Sequence, residues 1–403
     1  MNQTIRPKAP GVLDPLFGGG EVSAPDQAQA VLALSNKLLL IAMGVSGSLP
    51  FRVARLTANG TPDHSFGGGV VDPPLPAGVA PIPRQMVELS NGKYLIACSQ
   101  RGFSANVHLI QLLPDGTPDR SFGTAGVATF EIVDAGESRS PSAVSSVGSP
   151  CVAVSESTAT IYLGSSFSSD KDINAIVFGI NLDGSLKSSF NGGFVLIKEA
   201  GKRVRVDALS AVGHGVLIAG AMMIAPDNDG DALVASYDQS GRADLSFGVG
   251  GKVVIPGNDG RLLSLTSMAV DSNGSILASG YFVQNGDAGG LLIVLNASGS
   301  FNLVFNRGVP LYSAFAKPLY FFACAWQEDG QLIVTGLGDD GCLLIARYNA
   351  DGSLDLTFGN NGWAIYSNKP NSRYEDSTLT IDGKVVILGA QAVYPYAVRY
   401  LLN

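Results

Sequence analysis

Short runs of aliphatic and β-branched residues alternate with glycine-containing turns along the chain. In four places an Asn-Gly or Asp-Gly pair separates two such runs, in LSNGKYLIA, DSNGSILASG, QEDGQLIVTG and TIDGKVVILG. Both dipeptides tolerate the positive φ of type I′ turns, so each segment predicts two antiparallel strands joined by a tight hairpin. A third strand follows, as in CLLIARYNADG, and then a fourth short strand, as in GKVVIP and GWAIY. The pattern therefore predicts units of four antiparallel strands.

A phenylalanine in a D-x-x-F-G frame marks each of these units. It recurs at Phe17, Phe66, Phe122, Phe190, Phe247, Phe305 and Phe358. The successive gaps are 49, 56, 68, 57, 58 and 53 residues. Gaps of this size suit a four-stranded unit better than a solenoid repeat of about 20 to 35 residues. The repeat predicts an all-β fold, a seven-bladed β-propeller of four-stranded antiparallel blades.

The two ends of the chain supply complementary pieces of one unit. The 45 residues after Phe358 end in YAVRYLLN, which matches a third strand but reaches no further D-x-x-F-G. GVLDPLFGGG near the N terminus has that motif without preceding hairpins. We expect these segments to pair in one blade, which closes the ring and removes exposed strand edges. The predicted domains are a tail at residues 1–10 and a single propeller at residues 11–403, with residues 11–20 completing the last blade.

The repeat resembles the bacterial delta-60 repeat, whose signature is a Gly-rich hairpin, an R-[LY]-N-x-D-G strand end and L-D-x-x-F-G. Residues 347–362, RYNADGSLDLTFGNNG, match this signature most closely. Two copies depart from it, with Lys187 and Asn302 in place of the aspartate and Asn191 and Asn306 in place of the following glycine. The resemblance implies a propeller-like fold of bacterial origin and carries no catalytic residues.

Composition and charge narrow the class of protein further. Glycine makes 50 of the 403 residues, charged residues make 15% and hydrophobic residues 46%. This profile suits a packed, turn-rich protein and argues against a coiled coil or a disordered chain. The chain is acidic, with a net charge of −8 and a sequence pI near 4.9. Its overall field repels nucleic acid and anionic membranes, so we expect neither as a partner.

The sequence constrains the cellular compartment only weakly. The first 20 residues lack the apolar core of a secretory signal, and no window reaches about 18 uninterrupted apolar residues. We expect no Sec signal and no membrane insertion, so the protein is either cytoplasmic or exported by a non-Sec route. The low charge and abundant Ser, Thr and Asn resemble exported bacterial proteins. The compartment and the oligomeric state stay undetermined.

The aspartate of the D-x-x-F-G frame is predicted to be structural. It is present in five units, as Asp14, Asp63, Asp119, Asp244 and Asp355. A carboxylate at this position accepts backbone N–H groups of the turn, while the phenylalanine packs between sheets. No catalytic residues are predicted, because no G-x-S-x-G, H-E-x-x-H or phosphate-binding loop is present and the three histidines lie in different units.

A cluster of carboxylates at Asp227, Asp229 and Asp231 is a candidate calcium site. A calcium-binding loop begins with closely spaced oxygen ligands and a glycine that allows the loop to bend. The twelfth position of the loop is Asp238, where a glutamate would complete the pattern. The alternative interpretation is a solvated polar hairpin, with no cofactor bound.

An aromatic segment, residues 311–326, contains Tyr320, Phe322 and Trp326 as candidate binding residues. Aromatic side chains on a propeller face stack on sugar rings or anchor a protein partner. The alternative is a strand whose two faces are both buried between blades.

A polar insertion, residues 134–150, lengthens a loop in the longest unit and contains Ser138 and Arg139 as further candidate binding residues. Long loops on rigid scaffolds often carry binding sites. The alternative is a mobile decoration without a ligand.

Two hypotheses for function remain at this level. The first is a non-catalytic binding or scaffold propeller that recognises a protein or a glycan through one face or the central channel. The second is a carbohydrate-active hydrolase or lyase whose site is assembled from loops of several blades. Several carboxylates with shifted pKa values at a deep channel mouth favour the enzyme, whereas a channel filled by aliphatic side chains favours the binder.

Overall fold

A computed structural model of the protein describes residues 9–45, 50–102, 106–132, 144–146, 149–169, 172–224, 229–258 and 260–403. The secondary structure of these residues consists of β-strands and a few short 3-10 turns. The predicted N-terminal tail at residues 1–10 falls almost entirely outside the described residues. Among the described residues, no helix has the length and apolar character needed to cross a membrane.

Twenty-nine strands occupy the described residues, and most follow the four-strand rhythm read from the sequence. The first fourteen are β1 (Glu21–Ser23), β2 (Ala28–Ala33), β3 (Leu39–Met43), β4 (Arg52–Leu56), β5 (Val70–Val71), β6 (Pro81–Glu88), β7 (Tyr94–Gln100), β8 (Val107–Leu112), β9 (Val127–Phe130), β10 (Val144–Ser146), β11 (Cys151–Ser155), β12 (Thr160–Ser169), β13 (Asp172–Ile180) and β14 (Phe194–Ile197). The others are β15 (Arg203–Val212), β16 (Gly215–Ile224), β17 (Asp229–Asp238), β18 (Lys252–Ile255), β19 (Leu262–Val270), β20 (Ile276–Gln284), β21 (Asp287–Leu295), β22 (Leu311–Ser313), β23 (Tyr320–Trp326), β24 (Leu332–Gly338), β25 (Cys342–Tyr348), β26 (Trp363–Tyr366), β27 (Ser372–Leu379), β28 (Lys384–Gln391) and β29 (Tyr394–Leu401). The 3-10 turns are Gly18–Gly20, Gly67–Gly69, Asn191–Gly193, Phe305–Gly308 and Asp339–Gly341.

Hydrogen bonding gathers the described strands into six sheets. Five of them are blades built on a path of four neighbouring strands: β2-β3-β4-β5, β6-β7-β8-β9, β10-β12-β13-β14, β23-β24-β25-β26 and β27-β28-β29-β1. In the third of these, β11 also pairs with β12. The sixth sheet has eight strands, because β15 to β18 are joined to β19 to β22.

The prediction of seven separate four-stranded blades is wrong. Five blades follow that plan, whereas the next eight strands form one continuous sheet through a parallel pair between Gly230 of β17 and Leu262 of β19. Gly230 has no side chain to hold the two strands apart, and its N–H donates to the carbonyl of Arg261 at 3.3 Å. The number of D-x-x-F-G motifs gives the number of sequence units. It does not show that the backbones of two units are hydrogen-bonded into one sheet.

The two terminal segments pair with each other, and the strand that completes the blade, β1, follows directly after the predicted residues 11–20. Strand β1 pairs antiparallel with β29, and Leu13 forms a further bridge with Tyr400. The N–H of Gly11 donates to the carbonyl of Leu401 and that of Asp14 to the carbonyl of Arg399, both at 2.8 Å. The N-terminal segment therefore supplies the outer strand of a blade whose other three strands come from the C-terminal segment.

The first strands of successive units form the wall of a central channel. Strand β27 contacts β2, β2 contacts β6, β6 contacts β11, and the contacts continue through β15, β19 and β23 back to β27. The hydrophobic clusters lie between neighbouring sheets, where their faces pack against each other.

The structural role of the D-x-x-F-G motif is confirmed. Each of its seven phenylalanines is at most 2% exposed. The carboxylate accepts the N–H two residues later, as Asp355 Oδ1 does from Thr357 at 3.0 Å. Its second oxygen binds a cation from the neighbouring strand, as Asp355 Oδ2 binds Arg347 Nε at 2.7 Å. Where lysine replaces the aspartate, Lys187 Nζ instead donates to the carbonyl of Thr158 at 2.8 Å.

Candidate functional site

A cavity of about 820 Å³ opens where β2, β6, β23 and β27 end. It is lined by residues 32–35, 86–88, 326–329 and 379–383 together with Asn403, and we call it the mouth cavity. Three of the ranges run from the end of a channel strand into the turn that leads to the next strand, and residues 86–88 are the end of β6 itself. The repeat thus places equivalent turns side by side at one end of the channel.

Apolar side chains form part of the wall of the mouth cavity. Leu34 and Met86 are buried there, and Ile381 is 65% exposed. The indole of Trp326 is half-buried, and its Nε1 donates to the carbonyl of Ala269 on β19 at 3.2 Å. This hydrogen bond fixes the orientation of the ring, so Trp326 presents a rigid apolar surface at the channel mouth.

Carboxylates supply the charge of the mouth cavity. Its lining includes Glu88, Glu328, Asp329 and Asp382, whereas none of the lining residues that the structure describes is a lysine, an arginine or a histidine. Glu88 accepts hydrogen bonds from the N–H of Ser35 at 2.7 Å and from its hydroxyl at 3.1 Å. The cavity is therefore a negatively charged concave surface with apolar walls.

Asp382 remains ionised at the edge of this cavity. Burial alone would raise its pKa, but the hydroxyl of Thr380 and the ammonium of Lys384 lower the pKa below its ordinary value. The Lys384 Nζ lies 2.9 Å from Asp382 Oδ2.

Six channel strands carry a β-bulge at an equivalent position. The residue that interrupts the pairing register is Gln29, Arg84, Asp207, Thr266, Phe322 or Glu375. A bulge inserts one unpaired residue and redirects its side chain. Because the bulges recur in β2, β6, β15, β19, β23 and β27, they bring polar, charged and aromatic residues to one level of the channel wall.

Glycines on the neighbouring strands allow these bulges to form. A Cβ added at Gly336 of β24 would overlap the carbonyl oxygen of Tyr320, and one added at Gly280 of β20 would overlap that of Ser264. The chain needs glycine here because the backbone of the bulged strand approaches so closely.

Four half-buried aromatic rings form a continuous row across this level, which we call the aromatic arc. The ring centroids of Tyr281 and Tyr320 are 5.3 Å apart, those of Tyr320 and Phe322 are 6.1 Å apart and stacked, and those of Phe322 and Tyr374 are 5.1 Å apart. Phe321, between two of them in sequence, is fully buried in the core. The candidates Tyr320 and Phe322 thus lie together, while Trp326 lies at the mouth.

Charged residues flank the aromatic arc at both ends. Arg205 Nη2 lies 2.7 Å from Asp207 Oδ1 at one end, and Arg205 also interacts with the hydroxyl of Tyr281. At the other end, Glu375 follows Tyr374 directly in the chain, and the positive charge of Arg84 acts to lower its pKa. Strands β6 and β27 both contact β2, so this interaction joins two strands that are not direct neighbours around the ring.

Three carboxyl groups of the channel wall have raised pKa values. Burial raises the pKa of Asp207 and of Glu375, although the neighbouring arginines oppose it. Burial raises the pKa of Asp376 to about 7, although the N–H groups of Val31 and Ser377 partly lower it. A group that titrates near neutral pH exchanges protons under ordinary conditions.

The predicted calcium cluster is only partly described. Asp227 lies outside the described residues, and the side chain of Asp229 at the start of β17 is outside them as well. Asp231 Oδ2 lies 2.6 Å from Lys202 Nζ, and its Oδ1 accepts the N–H of Gly257 at 3.1 Å. Within the part of the chain that the structure describes, no group of three metal-ligating side chains is present.

Ser138 and Arg139, the candidates in the polar insertion, lie outside the described residues. All four cysteines are free thiols, and Cys98, Cys151 and Cys342 are buried.

Sequence reasoning missed the carboxylates of the mouth cavity, although the signal was present. Asp329 and Asp382 belong to the Asp-Gly turns of QEDG and TIDG, which predicted hairpins. A repeat protein places equivalent turns on the same face, so the acidic turns of different units could have been grouped. The bulge residues Arg84 and Glu375 had no such signal, because a bulge breaks the alternation that strand patterns rely on.

Comparisons with known proteins support the fold. Residues 41–66 and 327–358 match a family described as a domain of unknown function (DUF5122) β-propeller. Both matched segments end at the phenylalanine of a D-x-x-F-G turn, Phe66 and Phe358 respectively. No curated protein sequence matches the chain.

Solved structures with similar backbones share little sequence with this protein. Drosophila Semaphorin 2a is 9% identical, with a TM-score of 0.51 over 95% of this chain and 75% of that one. The PQQ-bound aldose sugar dehydrogenase from Streptomyces coelicolor is 13% identical, with a TM-score of 0.44 over 79% and 93% of the two chains. A polysaccharide lyase, an ulvan lyase bound to a saccharide, is 11% identical, with a TM-score of 0.47 over 85% and 81%. The family match and the strand arrangement identify the protein as a β-propeller.

Proposed function

We propose that this protein is a non-catalytic binding propeller whose mouth cavity receives a protein segment carrying lysine or arginine beside apolar residues. We also propose that its repeats are of the bacterial delta-60 type, on the strength of the match at residues 347–362. The observation that carries the proposal is the lining of the mouth cavity, in which four carboxylates stand among apolar side chains without a basic residue among the described lining.

Charge complementarity favours a cationic partner. Glu328 and Asp329 are exposed at the end of β23, and Glu88 faces the same cavity from the end of β6. A concave site lined by one sign of charge attracts ligands of the opposite sign and raises their association rate. The chain as a whole also carries a net charge of −8, which reinforces this attraction.

The apolar wall supplies the remaining contact area. Trp326, Met86 and Ile381 offer surfaces that the aliphatic part of a lysine or arginine and a neighbouring apolar side chain can cover. The volume of about 820 Å³ lies within the range of about 300 to 1,000 Å³ typical of ligand pockets. The cavity therefore accommodates a few residues of a partner and not a whole domain.

The experiment is a peptide array followed by calorimetric titration. We expect nine-residue peptides with two or more lysines or arginines and at least two leucines to bind, and their acidic counterparts to fail. Glu88→Gln combined with Glu328→Gln should weaken the best peptide at least about tenfold, which corresponds to about 1.4 kcal/mol. Affinity should also fall as salt concentration rises.

A matched control removes the same charge elsewhere. Asp72 and Glu131 are exposed, follow the outer strands β5 and β9, and do not line the mouth cavity. Asp72→Asn combined with Glu131→Gln should leave the affinity within about twofold of the unmodified protein. Equal weakening by both double variants, or preference for acidic peptides, would reject the mouth cavity as the site.

A second candidate function is a carbohydrate-active hydrolase or lyase in the channel. Burial raises the pKa of Asp376 to about 7, which favours it, because a carboxyl group that titrates near neutral pH can act as a general acid. Burial also raises the pKa values of Asp207 and Glu375 on the same wall. The test is incubation with a panel of polysaccharides, assayed for new reducing ends and for unsaturated products. Activity that is lost in both Asp207→Asn and Glu375→Gln would support an enzyme; a blank panel supports the binding function.

A further inference from the structure

The aromatic arc lies at the level of the β-bulges and is separate from the mouth cavity. Phe322 stands four residues before Trp326 on β23, a rise of about 13 Å along a strand. Glu375 likewise stands four residues before Leu379 on β27. None of Tyr281, Tyr320, Phe322 and Tyr374 lines the mouth cavity. Any ligand of the arc is therefore distinct from the ligand proposed above.

The arc differs from the aromatic residues of the core in its exposure. The D-x-x-F-G phenylalanines and Phe321 are almost completely buried, whereas all four residues of the arc are half-buried. Aromatic side chains contribute large, rigid contact surfaces at low conformational cost. A row of such rings along a channel wall is a stacking surface for a flat apolar face.

Polar atoms around the channel lack partners although they are buried. Gln29 Oε1, Arg84 Nε and Asp207 Oδ2 have no hydrogen-bond partner among the described residues. Gln29, Arg84 and Asp207 are bulge residues, and the side chain of Asp207 is only 10% exposed. Buried polar atoms in native proteins are almost always hydrogen-bonded, so each unpartnered atom calls for water or a ligand.

These atoms comprise both donors and acceptors. Arg84 Nε donates, whereas Gln29 Oε1 and Asp207 Oδ2 accept. Three arginines and three carboxyl groups flank the arc. Arg205 pairs with Asp207, and Arg373 pairs with Glu375 at 3.2 Å. Arg84 stands near Glu375, which Asp376 follows in the chain. A matching ligand carries no net charge, presents groups that both donate and accept hydrogen bonds, and has an apolar face for the aromatic rings.

We propose that the channel wall at the level of the bulges is a second binding site, in which the aromatic arc stacks on a ring of a neutral saccharide while Arg84, Asp207 and Gln29 bond to its hydroxyl groups. A hydroxyl group donates one hydrogen bond and accepts others, and the C–H face of a sugar ring is apolar. The saccharide unit combines the two properties that the wall requires. This proposal does not rest on the function assigned to the mouth cavity.

The experiment uses the full chain on an array of neutral mono- to tetrasaccharides, followed by calorimetry with the best-binding sugar. Phe322→Ala should weaken that sugar at least about tenfold, and Asp207→Asn, which keeps the shape of the side chain, should weaken it severalfold. The melting temperature of each variant establishes that it is folded. If Phe322→Ala does not fold, Phe322→Leu replaces it with a smaller loss of packing.

Two controls separate this site from other effects. Phe315→Ala removes a half-buried ring that packs against Trp363 at 5.3 Å, so it should not alter sugar affinity. The double variant Glu88→Gln/Glu328→Gln should bind basic peptides more weakly but bind the sugar with unchanged affinity. An array without a bound sugar, or sugar binding that survives both Phe322→Ala and Asp207→Asn, would overturn the proposal and leave water as the partner of the buried polar atoms.

Discussion

The guanidinium of Arg399 holds the carboxylate of Asp14 through two contacts, Nε to Oδ2 at 3.0 Å and Nη2 to Oδ2 at 2.8 Å, although 385 positions separate the two residues in the chain. The guanidinium also lies over the ring of Phe17, 4.5 Å from its centroid. Arg347 makes the same arrangement with Asp355 and Phe358 one repeat earlier. The terminal segments are thus joined by the same turn chemistry that the complete repeats use.

We predict that Arg399→Ala strongly destabilises the fold. Arg399 and Asp14 are 4% and 2% exposed, and removing one partner of a buried pair leaves the other charge uncompensated. The free energy of unfolding, measured by urea denaturation, should fall by about 3–5 kcal/mol. Lys317→Ala breaks an ion pair with Asp287 whose partners are 69% and 78% exposed, and it should cost less than about 1 kcal/mol. Equal effects of the two variants would contradict the closing role of Arg399.

We predict that the bulges depend on glycine in the second strand. Gly336→Ala would force the new Cβ against the carbonyl oxygen of Tyr320, so β23 would have to move. The unfolding free energy should fall by about 1–3 kcal/mol, as it does when extra atoms enter a packed region. At Gly213 a new Cβ meets no atom within 4 Å, so Gly213→Ala should change stability by less than about 0.5 kcal/mol. A harmless Gly336→Ala would show that the close approach is not required.

We predict a pH effect on stability from Asp376. Burial raises its pKa to about 7, so the folded protein retains a proton that the unfolded chain, with an ordinary aspartate pKa near 3.8, releases. This contribution to stability is complete below about pH 4 and is lost as pH rises toward 7. The unfolding free energy of the unmodified protein minus that of Asp376→Asn should therefore decrease between pH 4.5 and pH 8.

The measurement is urea denaturation at pH 4.5, 6 and 8. Asp26→Asn, at an exposed aspartate between β1 and β2, controls for the loss of one negative charge. The quantity compared is the unfolding free energy of the unmodified protein minus that of Asp376→Asn. If it stays constant or increases with pH, the carboxyl group of Asp376 is not held in its protonated form.

Sequence patterns predicted the β-strands and the tight turns because both depend on local chemistry. They predicted the pairing of the chain ends because the two ends carry complementary pieces of one repeat. The Asn-Gly and Asp-Gly dipeptides fix hairpins, and the phenylalanine of D-x-x-F-G, such as Phe358, is buried wherever it recurs. The number of separate blades could not be predicted, because the link between Gly230 and Leu262 is a single backbone contact between two units, outside the repeated motif.

The candidate site was only partly predictable for a related reason. Tyr320, Phe322 and Trp326 stood out as an aromatic cluster, yet the first two belong to the channel and the third to its mouth. Tyr374, which packs against Phe322, and Arg84, which interacts with Glu375, come from other strands and have no fixed spacing to them in sequence. Only the three-dimensional arrangement of the bulged strands brings these side chains to one level.

The most direct test of the binding function uses the two tryptophans of the chain. Trp363→Phe leaves Trp326 as the sole tryptophan, with its indole in the wall of the mouth cavity. Titration of this variant with the best basic peptide from the array should shift the Trp326 emission and saturate with the affinity measured by calorimetry. An acidic peptide should have no effect, and Glu88→Gln/Glu328→Gln should move the titration to at least about tenfold higher peptide concentration. Peptide binding by calorimetry with unchanged Trp326 emission would place the partner elsewhere and contradict the account.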